Sequence, residues 1–242
     1  MELRAKILID FMKNVYLFLI QALFILSLMV TTGCSKNDDP GTGGANVGEP
    51  LYPDGGGSDP SGSLTTDPGV KINGVIWATR NVDKPGTFTA NPEDPGMFYQ
   101  WNSKVGWKYN DPLTPSDGIS TWNPNWDGNG ATTWEKANDP CPPGWRLPTE
   151  GELLSLTSHW SSATVNGMNG FWCGTTGAVV FLPCAGFRYK SDASVRDMGR
   201  CAYLAIRDKY TIYKYTAWEV SDGLATASLW GADASSIRCV KE

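Results

Sequence analysis

Few residues in this chain could carry out acid–base or nucleophilic catalysis. His159 is the single histidine among 242 residues, which removes most histidine-based triads and metal sites. Of the six cysteines, Cys173 and Cys184 are closest in sequence, eleven positions apart, so no pair has the Cys-x-x-Cys spacing of redox and zinc sites. We therefore expect a protein that is not an enzyme.

An aromatic-rich segment is the strongest candidate for a binding surface. Eight aromatic residues alternate with Asn, Asp and Gly between residues 98 and 134: Phe98, Tyr99, Trp101, Trp107, Tyr109, Trp122, Trp126 and Trp134. A flat ring suits the apolar face of a sugar, and neighbouring amides and carboxylates hydrogen-bond its hydroxyl groups. We predict that Trp107, Trp122 and Trp126 contact a ligand. The alternative is that these rings pack the segment onto the core.

The same segment contains a pattern of oxygen ligands that resembles part of a calcium-binding loop. Asn125, Asp127 and Asn129 alternate along the chain and are followed by a glycine, as in an EF-hand. The closing carboxylate is missing, because Lys136 occupies the twelfth position. A polar turn is therefore the favoured interpretation, with calcium as the only candidate cofactor.

The N-terminal segment predicts export and a lipid anchor. Residues 15–30 are apolar and uncharged but shorter than the roughly 20 residues of a membrane span, so residues 1–33 are predicted to be a signal peptide. Residues 31–34, Thr-Thr-Gly-Cys, resemble a lipobox in which Cys34 is lipidated, and residues 35–39 resemble the export signal of Bacteroides-type surface lipoproteins. We expect attachment to the outer membrane and exposure on the cell surface. An ordinary secreted protein is the alternative.

Composition divides the remaining chain into a tether and one folded domain. Residues 35–69 contain nine Gly and five Pro, so residues 34–69 are predicted to be flexible. Residues 70–242 are long enough to form an independent core. The net charge of −5 provides no basic surface for phosphates, so nucleic acid is not an expected partner.

Local signals predict mostly strands with short helices. Asn73-Gly74 lies between apolar runs and predicts a hairpin. Thr149 and Glu152 have capping-box spacing, which predicts a helix with an apolar face formed by Leu153, Leu156 and Trp160. A second short helix is expected at 132–137. Apolar and β-branched runs predict later strands at 179–182, 203–206, 210–220, 224–230 and 237–240.

Five ordered blocks in the domain resemble the Fibrobacter succinogenes major paralogous domain family. They are residues 73–82 (NGVIWATRNV), 98–102 (FYQWN), 140–149 (PCPPGWRLPT), 181–188 (FLPCAGFR) and 237–240 (IRCV). This resemblance implies an α+β domain similar to formylglycine-generating enzymes and C-type lectins, with short helices, twisted antiparallel strands and long ordered loops. It also implies that Trp101 and Trp134 are core residues.

The resemblance implies one disulfide, between Cys141 and Cys239. In an oxidising compartment, more bridges are expected. Cys184 and Cys201 lie on candidate neighbouring strands and are the predicted second pair, which leaves Cys173 as a thiol.

Together these observations predict a non-catalytic binding or adhesion domain on a surface lipoprotein, with a glycan or a surface protein as ligand. A structural or accessory subunit of a surface assembly such as a fimbria is the alternative. An enzyme of the formylglycine-generating type ranks third, because that chemistry needs a closely spaced pair of reactive cysteines.

Overall fold

The computed structural model describes residues 64–208, 214–220 and 224–242, with only the backbone described for residues 214–220 and 224–228. This part of the chain is mostly β-sheet with one short α-helix. The strands and the helix are β1 Val70–Ile72, β2 Val75–Trp77, β3 Met97–Gln100, β4 Gly106–Lys108, β5 Trp145–Arg146, α1 Glu150–Leu156, β6 Trp160–Val165, β7 Met168–Thr175, β8 Ala178–Pro183, β9 Phe187–Arg188, β10 Val195–Arg196, β11 Ala202–Ala205, β12 Lys214–Val220, β13 Leu224–Trp230, β14 Ala234–Ser235 and β15 Val240–Lys241.

The strands form four small antiparallel sheets. Their orders are β1-β2-β15-β5, β10-β9-β14-β3-β4, β11-β12-β13 and β6-β7-β8. The first two sheets join strands that are far apart in sequence, since β15 pairs with β2 and β5, and β14 pairs with β3 and β9. The C-terminal segment therefore holds the N-terminal and central parts of the domain together.

The predicted signal peptide at 1–33, the lipidation residue Cys34 and the predicted tether up to residue 63 lie outside the described residues. The domain begins earlier than the predicted boundary at residue 70. Asp67 is buried and accepts hydrogen bonds from the backbone N–H of Thr79 (2.9 Å) and from Nε of Arg80 (3.0 Å). The carbonyl of Leu64 also accepts the backbone N–H of Phe88. Residues 64–69 consequently belong to the folded part.

Two local predictions are confirmed. Asn73 and Gly74 have φ values of 50° and 87° in the turn of the β1–β2 hairpin, where positive φ is required. Thr149 caps α1 in a capping box, because its Oγ1 accepts the backbone N–H of Glu152 while the Glu152 carboxylate accepts the backbone N–H of Thr149.

Three predicted elements differ from the structure. Trp160 starts β6 instead of continuing α1, which ends at Leu156. The helix predicted at 132–137 is replaced by a 3₁₀ turn at Lys136–Asn138, because Trp134 instead donates its backbone N–H to the carbonyl of Arg207. The last strand is limited to β15. The first four residues of the strand predicted at 210–220 lie outside the described residues.

Two apolar clusters form most of the core. One packs β3 and β5 against the C-terminal segment and includes Tyr99, Trp101, Trp134, Trp145 and Ile237. The other packs α1 against β7 and β8 and includes Trp77, Leu153, Leu156, Phe171 and Val180. Trp101 and Trp134 are thus core residues, with ring centroids 5.4 Å apart.

The long loops are fastened by arginines that are buried and hydrogen-bonded mainly to carbonyls. Arg188 donates to the carbonyls of Lys108 (2.7 Å) and Asn110 (2.9 Å) and also contacts the carbonyl of Ala193. Arg238 donates to the carbonyls of Ala78 and Phe181. Buried backbone carbonyls need hydrogen-bond donors. The two guanidinium groups supply these donors where no neighbouring strand does.

The predicted disulfide between Cys141 and Cys239 is present, but the predicted second bridge between Cys184 and Cys201 is wrong. Cys173, Cys184 and Cys201 are all buried thiols. Cys184 packs in the cluster around Phe171, whereas Cys201 packs in the cluster around Trp101, so their side chains face different parts of the core. Burial raises the pKa of the Cys173 thiol to about 12, which makes it an inert thiol.

The capping box leads to a prediction of pH-dependent stability. Glu152 pairs in a bidentate manner with Arg146 (2.7 and 2.9 Å), and this pair together with the Thr149 hydrogen bonds lowers the pKa of Glu152 to about 2. A lowered pKa stabilises the fold above the unfolded-state pKa, and this stabilisation is lost as the pH falls toward 2. Glu152→Gln is expected to lower the free energy of unfolding by about 1 kcal/mol at pH 7.

Urea denaturation of both proteins from pH 7 to pH 2 measures this effect. The difference in unfolding free energy between the wild type and Glu152→Gln should shrink below about pH 4.5. Glu150→Gln in the same helical turn is the matched control, because Glu150 forms no ion pair with a described residue. A difference that stays constant down to pH 2 would contradict the role assigned to this carboxylate.

No helix within the described ranges is both long enough and apolar enough to span a membrane.

Candidate functional site

The three predicted tryptophans lie together in one surface groove. Trp107, Trp122 and Trp126 line an open groove of about 750 Å³, together with Gln100 and Ile119. We call the groove that these five residues line the tryptophan groove. Its other polar lining comes from Ser103, Ser120, Thr121 and Asn123, and none of the described residues that line it is charged. The volume lies within the range of roughly 300–1,000 Å³ that is typical of small-molecule sites.

The three tryptophans differ in exposure and in hydrogen bonding. Trp107 is buried at 3% exposure, whereas Trp122 and Trp126 are half-buried. The rings of Trp107 and Trp122 meet edge to face, with centroids 5.3 Å apart. The indole N–H of Trp122 donates to the carbonyl of Lys190 (2.7 Å), and that of Trp126 donates to the carbonyl of Trp101 (2.6 Å). Two rings are therefore held rigidly at the surface, with Trp107 behind them.

The indole N–H of Trp107 has no hydrogen-bond partner among the described residues, although the atom is buried. A buried donor without a partner costs free energy, about 1–3 kcal/mol. Trp107 lines the groove, but its indole nitrogen is shielded from solvent, so an oxygen acceptor of a bound molecule reaches this donor only if the ring shifts.

Gln100 positions the wall of the groove. It lies at the end of β3, is 3% exposed, and donates its amide N–H groups to the carbonyls of Asn123 (2.9 Å) and Ala232 (2.7 Å). These two bonds fix the loop that carries Trp122 and Trp126 against the chain after β13. The core strand thus determines the position of a loop that has no regular secondary structure.

A tight turn presents Ile119 to the groove. The Asp117 carboxylate accepts the backbone N–H groups of Ile119 and Ser120 and the Ser120 hydroxyl, and these bonds lower the pKa of Asp117. Ile119 is 85% exposed. Its aliphatic side chain therefore adds an exposed apolar contact to the groove.

The structure gives the candidate calcium residues a local role. Oδ1 of Asn123 accepts the backbone N–H of Asn125, and Oδ1 of Asp127 accepts that of Asn129. Side-chain oxygens that bond the backbone two residues on are typical of Asx turns. Asn125 and Asp127 line a small cavity beside Trp126, but Asn129 does not. Within the described residues, no group of three or more His, Cys, Asp or Glu side chains could hold a metal ion.

Sequence reasoning did not identify Gln100, Ile119, Lys190 or Trp230 as residues of this surface. Lys190 and Trp230 lie 64 and 104 positions after Trp126 and share a cavity with it. No local periodicity links such distant residues. The one sequence signal for Gln100 is its place in the block FYQWN, residues 98–102, of the family resemblance described above.

In comparisons with known proteins, no protein-family model, no curated protein and no solved structure matches the chain. The family resemblance therefore stays a prediction.

Proposed function

We propose that this protein is a surface lipoprotein, anchored in the outer membrane through Cys34, whose domain binds glycans in the tryptophan groove without catalysing a reaction. The observation that carries the proposal is that two half-buried tryptophans, Trp122 and Trp126, each held by an indole N–H bond to a backbone carbonyl, line one groove whose described lining residues carry no charge. The lectin-like fold is part of the same proposal. It is supported by the small antiparallel sheets, the short capped helix and the long hydrogen-bonded loops.

The chemistry of the groove favours a sugar over other small molecules. Trp122 and Trp126 offer apolar ring surface for the C–H face of a pyranose. The Thr121 hydroxyl, the amide N–H groups of Asn123 and the lone pairs of the Ser120 hydroxyl together offer donors and acceptors to sugar hydroxyls. The absence of charge among the described lining residues favours neutral sugars, because a charged ligand would have no opposite charge to pair with.

Titration of the full-length protein with soluble neutral oligosaccharides of glucose, galactose, mannose and xylose tests this function. We expect saturable binding in calorimetry and a shift of tryptophan fluorescence. Trp122→Ala should weaken binding at least about tenfold, because it removes an aromatic contact at the centre of the site.

A second variant separates binding from folding. Trp107→Phe keeps an aromatic ring but removes the N–H, which has no partner among the described residues, so it deletes no hydrogen bond to a described residue and should still weaken binding severalfold. Trp160→Phe is the matched control, since Trp160 lies on β6 and packs against Phe171, in a different sheet from the groove. Circular dichroism verifies that all variants fold.

Absence of saturable binding to every glycan would overturn the proposal. So would unchanged affinity in both Trp122→Ala and Trp107→Phe. A stable complex with another surface protein would then favour an accessory subunit of a surface assembly.

A further inference from the structure

A second, smaller cavity adjoins the tryptophan groove. It has a volume of about 170 Å³ and is lined by Asn125, Trp126, Asp127, Lys190 and Trp230, which we call the lysine cavity. Trp126 lines both this cavity and the tryptophan groove. The two concave surfaces are therefore neighbours that share Trp126.

The lysine cavity is held in place by buried hydrogen bonds. Asp233 is 2% exposed, and its carboxylate accepts the backbone N–H groups of Lys190 (2.8 Å) and Trp230 (2.8 Å). The ammonium group of Lys190 lies 3.8 Å from the centroid of the Trp230 ring, a close cation–π contact. One buried carboxylate thus fixes both residues of the pair, and Trp230 remains 43% exposed.

The two cavities also share a support beneath Trp126. Gln100 bridges Asn123, on the wall of the tryptophan groove, to Ala232, on the wall of the lysine cavity. The backbone N–H of Trp101 donates to the carbonyl of Gly231 (3.0 Å), which lines the lysine cavity as well. Because the same strand end supports both walls, their relative position is fixed before any ligand binds, which lowers the entropic cost of binding across both.

We infer that the binding surface continues past Trp126 into the lysine cavity, and that the ligand is a neutral oligosaccharide of at least two sugar residues that occupies both cavities. This inference rests on the proposed function. The lysine cavity provides an ammonium donor from Lys190, a carboxylate acceptor from Asp127 and an amide from Asn125, which together match the donors and acceptors of sugar hydroxyls.

The charges of the two cavities favour a neutral chain over an acidic one. The described residues that line the lysine cavity include one cation, Lys190, and one anion, Asp127, so their charges cancel. The tryptophan groove adds no charge from its described residues. An acidic sugar placed near Lys190 would also lie near the Asp127 carboxylate, and that repulsion would offset its attraction to the ammonium group.

Affinity as a function of oligosaccharide length tests the inference in the full-length protein. The neutral sugar that binds best is compared as mono-, di- and trisaccharide by calorimetry and, for weak binding, by NMR titration. We expect affinity to rise at least about tenfold from mono- to trisaccharide. Lys190→Met keeps an unbranched apolar side chain but removes the ammonium group that lies over Trp230, and should weaken trisaccharide binding about fivefold while changing monosaccharide affinity less than twofold.

Two further variants make the result specific. Trp230→Ala, like Lys190→Met, should weaken trisaccharide binding more than monosaccharide binding. Trp122→Ala should weaken the binding of both by the same factor. Lys71→Met on the exposed side of β1 is the matched control and should change neither affinity.

Each outcome bears on the inference. Equal affinity for mono- and trisaccharide, or equal weakening of both by Lys190→Met and Trp230→Ala, would overturn it while leaving glycan binding in the tryptophan groove intact. Tighter binding of uronic-acid oligosaccharides than of neutral ones would overturn the neutral assignment. If no glycan of any length binds, the proposed function itself fails, and the inference fails with it.

Discussion

Replacement of Asp67 by alanine is expected to lower the free energy of unfolding by about 3–5 kcal/mol, because it leaves a buried arginine without its counter-ion. Arg80 is 2% exposed and its Nε lies 3.0 Å from the Asp67 carboxylate. The same carboxylate accepts the backbone N–H groups of Gly69 and Thr79 and the Thr79 hydroxyl, each at 2.9 Å. All of these donors lose their partner at once, and each one left unsatisfied costs free energy.

Urea denaturation followed by tryptophan fluorescence measures the loss. Asp208→Ala is the matched control, because the Asp208 carboxylate forms an exposed ion pair with Arg207 and such pairs contribute about 0–1 kcal/mol. Arg80→Met replaces the buried charge by an apolar side chain. The double variant Asp67→Ala with Arg80→Met should therefore lose less unfolding free energy than the sum of the losses in the two single variants. A loss below about 1 kcal/mol for Asp67→Ala would show that the residues before β1 do not belong to the cooperative unit.

The features predicted correctly from sequence depend on residues a few positions apart. The Asn73-Gly74 turn requires only that both residues adopt positive φ, and the capping box requires only that Thr149 and Glu152 are three positions apart. Such local energies are present before the chain folds, so composition and spacing reveal them.

The incorrect predictions involve long-range contacts that override local preference. The sequence predicts a short helix at 132–137, but Trp134 is buried against Trp101 and donates its backbone N–H to the carbonyl of Arg207. Cys184 and Cys201 lie on neighbouring segments, yet their side chains enter different apolar clusters. Side-chain direction at such positions depends on the packing of the whole domain, which strand patterns do not contain.

The candidate site was predictable only in part, because some of its residues stand out by type whereas others have a role only through long-range contacts. Trp107, Trp122 and Trp126 stand out by residue type, and the structure brings all three to one groove. Gln100 and Trp230 do not stand out, since their roles arise from hydrogen bonds and cavities shared with residues more than twenty positions away. That the N–H of Trp107 finds no partner among the described residues likewise becomes visible only once its surroundings are known.

Loss of the disulfide is the second change for which we expect a large effect. Cys141 and Cys239 are separated by 98 positions, and Cys239 is fully buried beside β15. In the chain-entropy description, a cross-link that closes a loop of this length restricts the unfolded chain and stabilises the fold by about 4–5 kcal/mol. The regular pairing of β15 is short, since Val240 alone pairs with β2 and two residues pair with β5. The covalent link adds to the backbone hydrogen bonds that the carbonyls of Ile237 and Cys239 accept from Val82 and Ala78.

The double variant Cys141→Ala with Cys239→Ala is expected to lose about 4 kcal/mol of unfolding free energy in urea denaturation, and Cys173→Ala about 1 kcal/mol. The second variant is the matched control, because it removes a buried sulfur without removing a cross-link. Alkylation of the denatured wild type without reductant should label Cys173, Cys184 and Cys201 but not Cys141 or Cys239. Labelling of Cys141, or equal losses in the two variants, would contradict a stabilising disulfide. Because β15 and the β14 segment that contacts Gln100 lie on the same C-terminal stretch, the double variant should also weaken the proposed glycan binding at temperatures where the wild type remains folded.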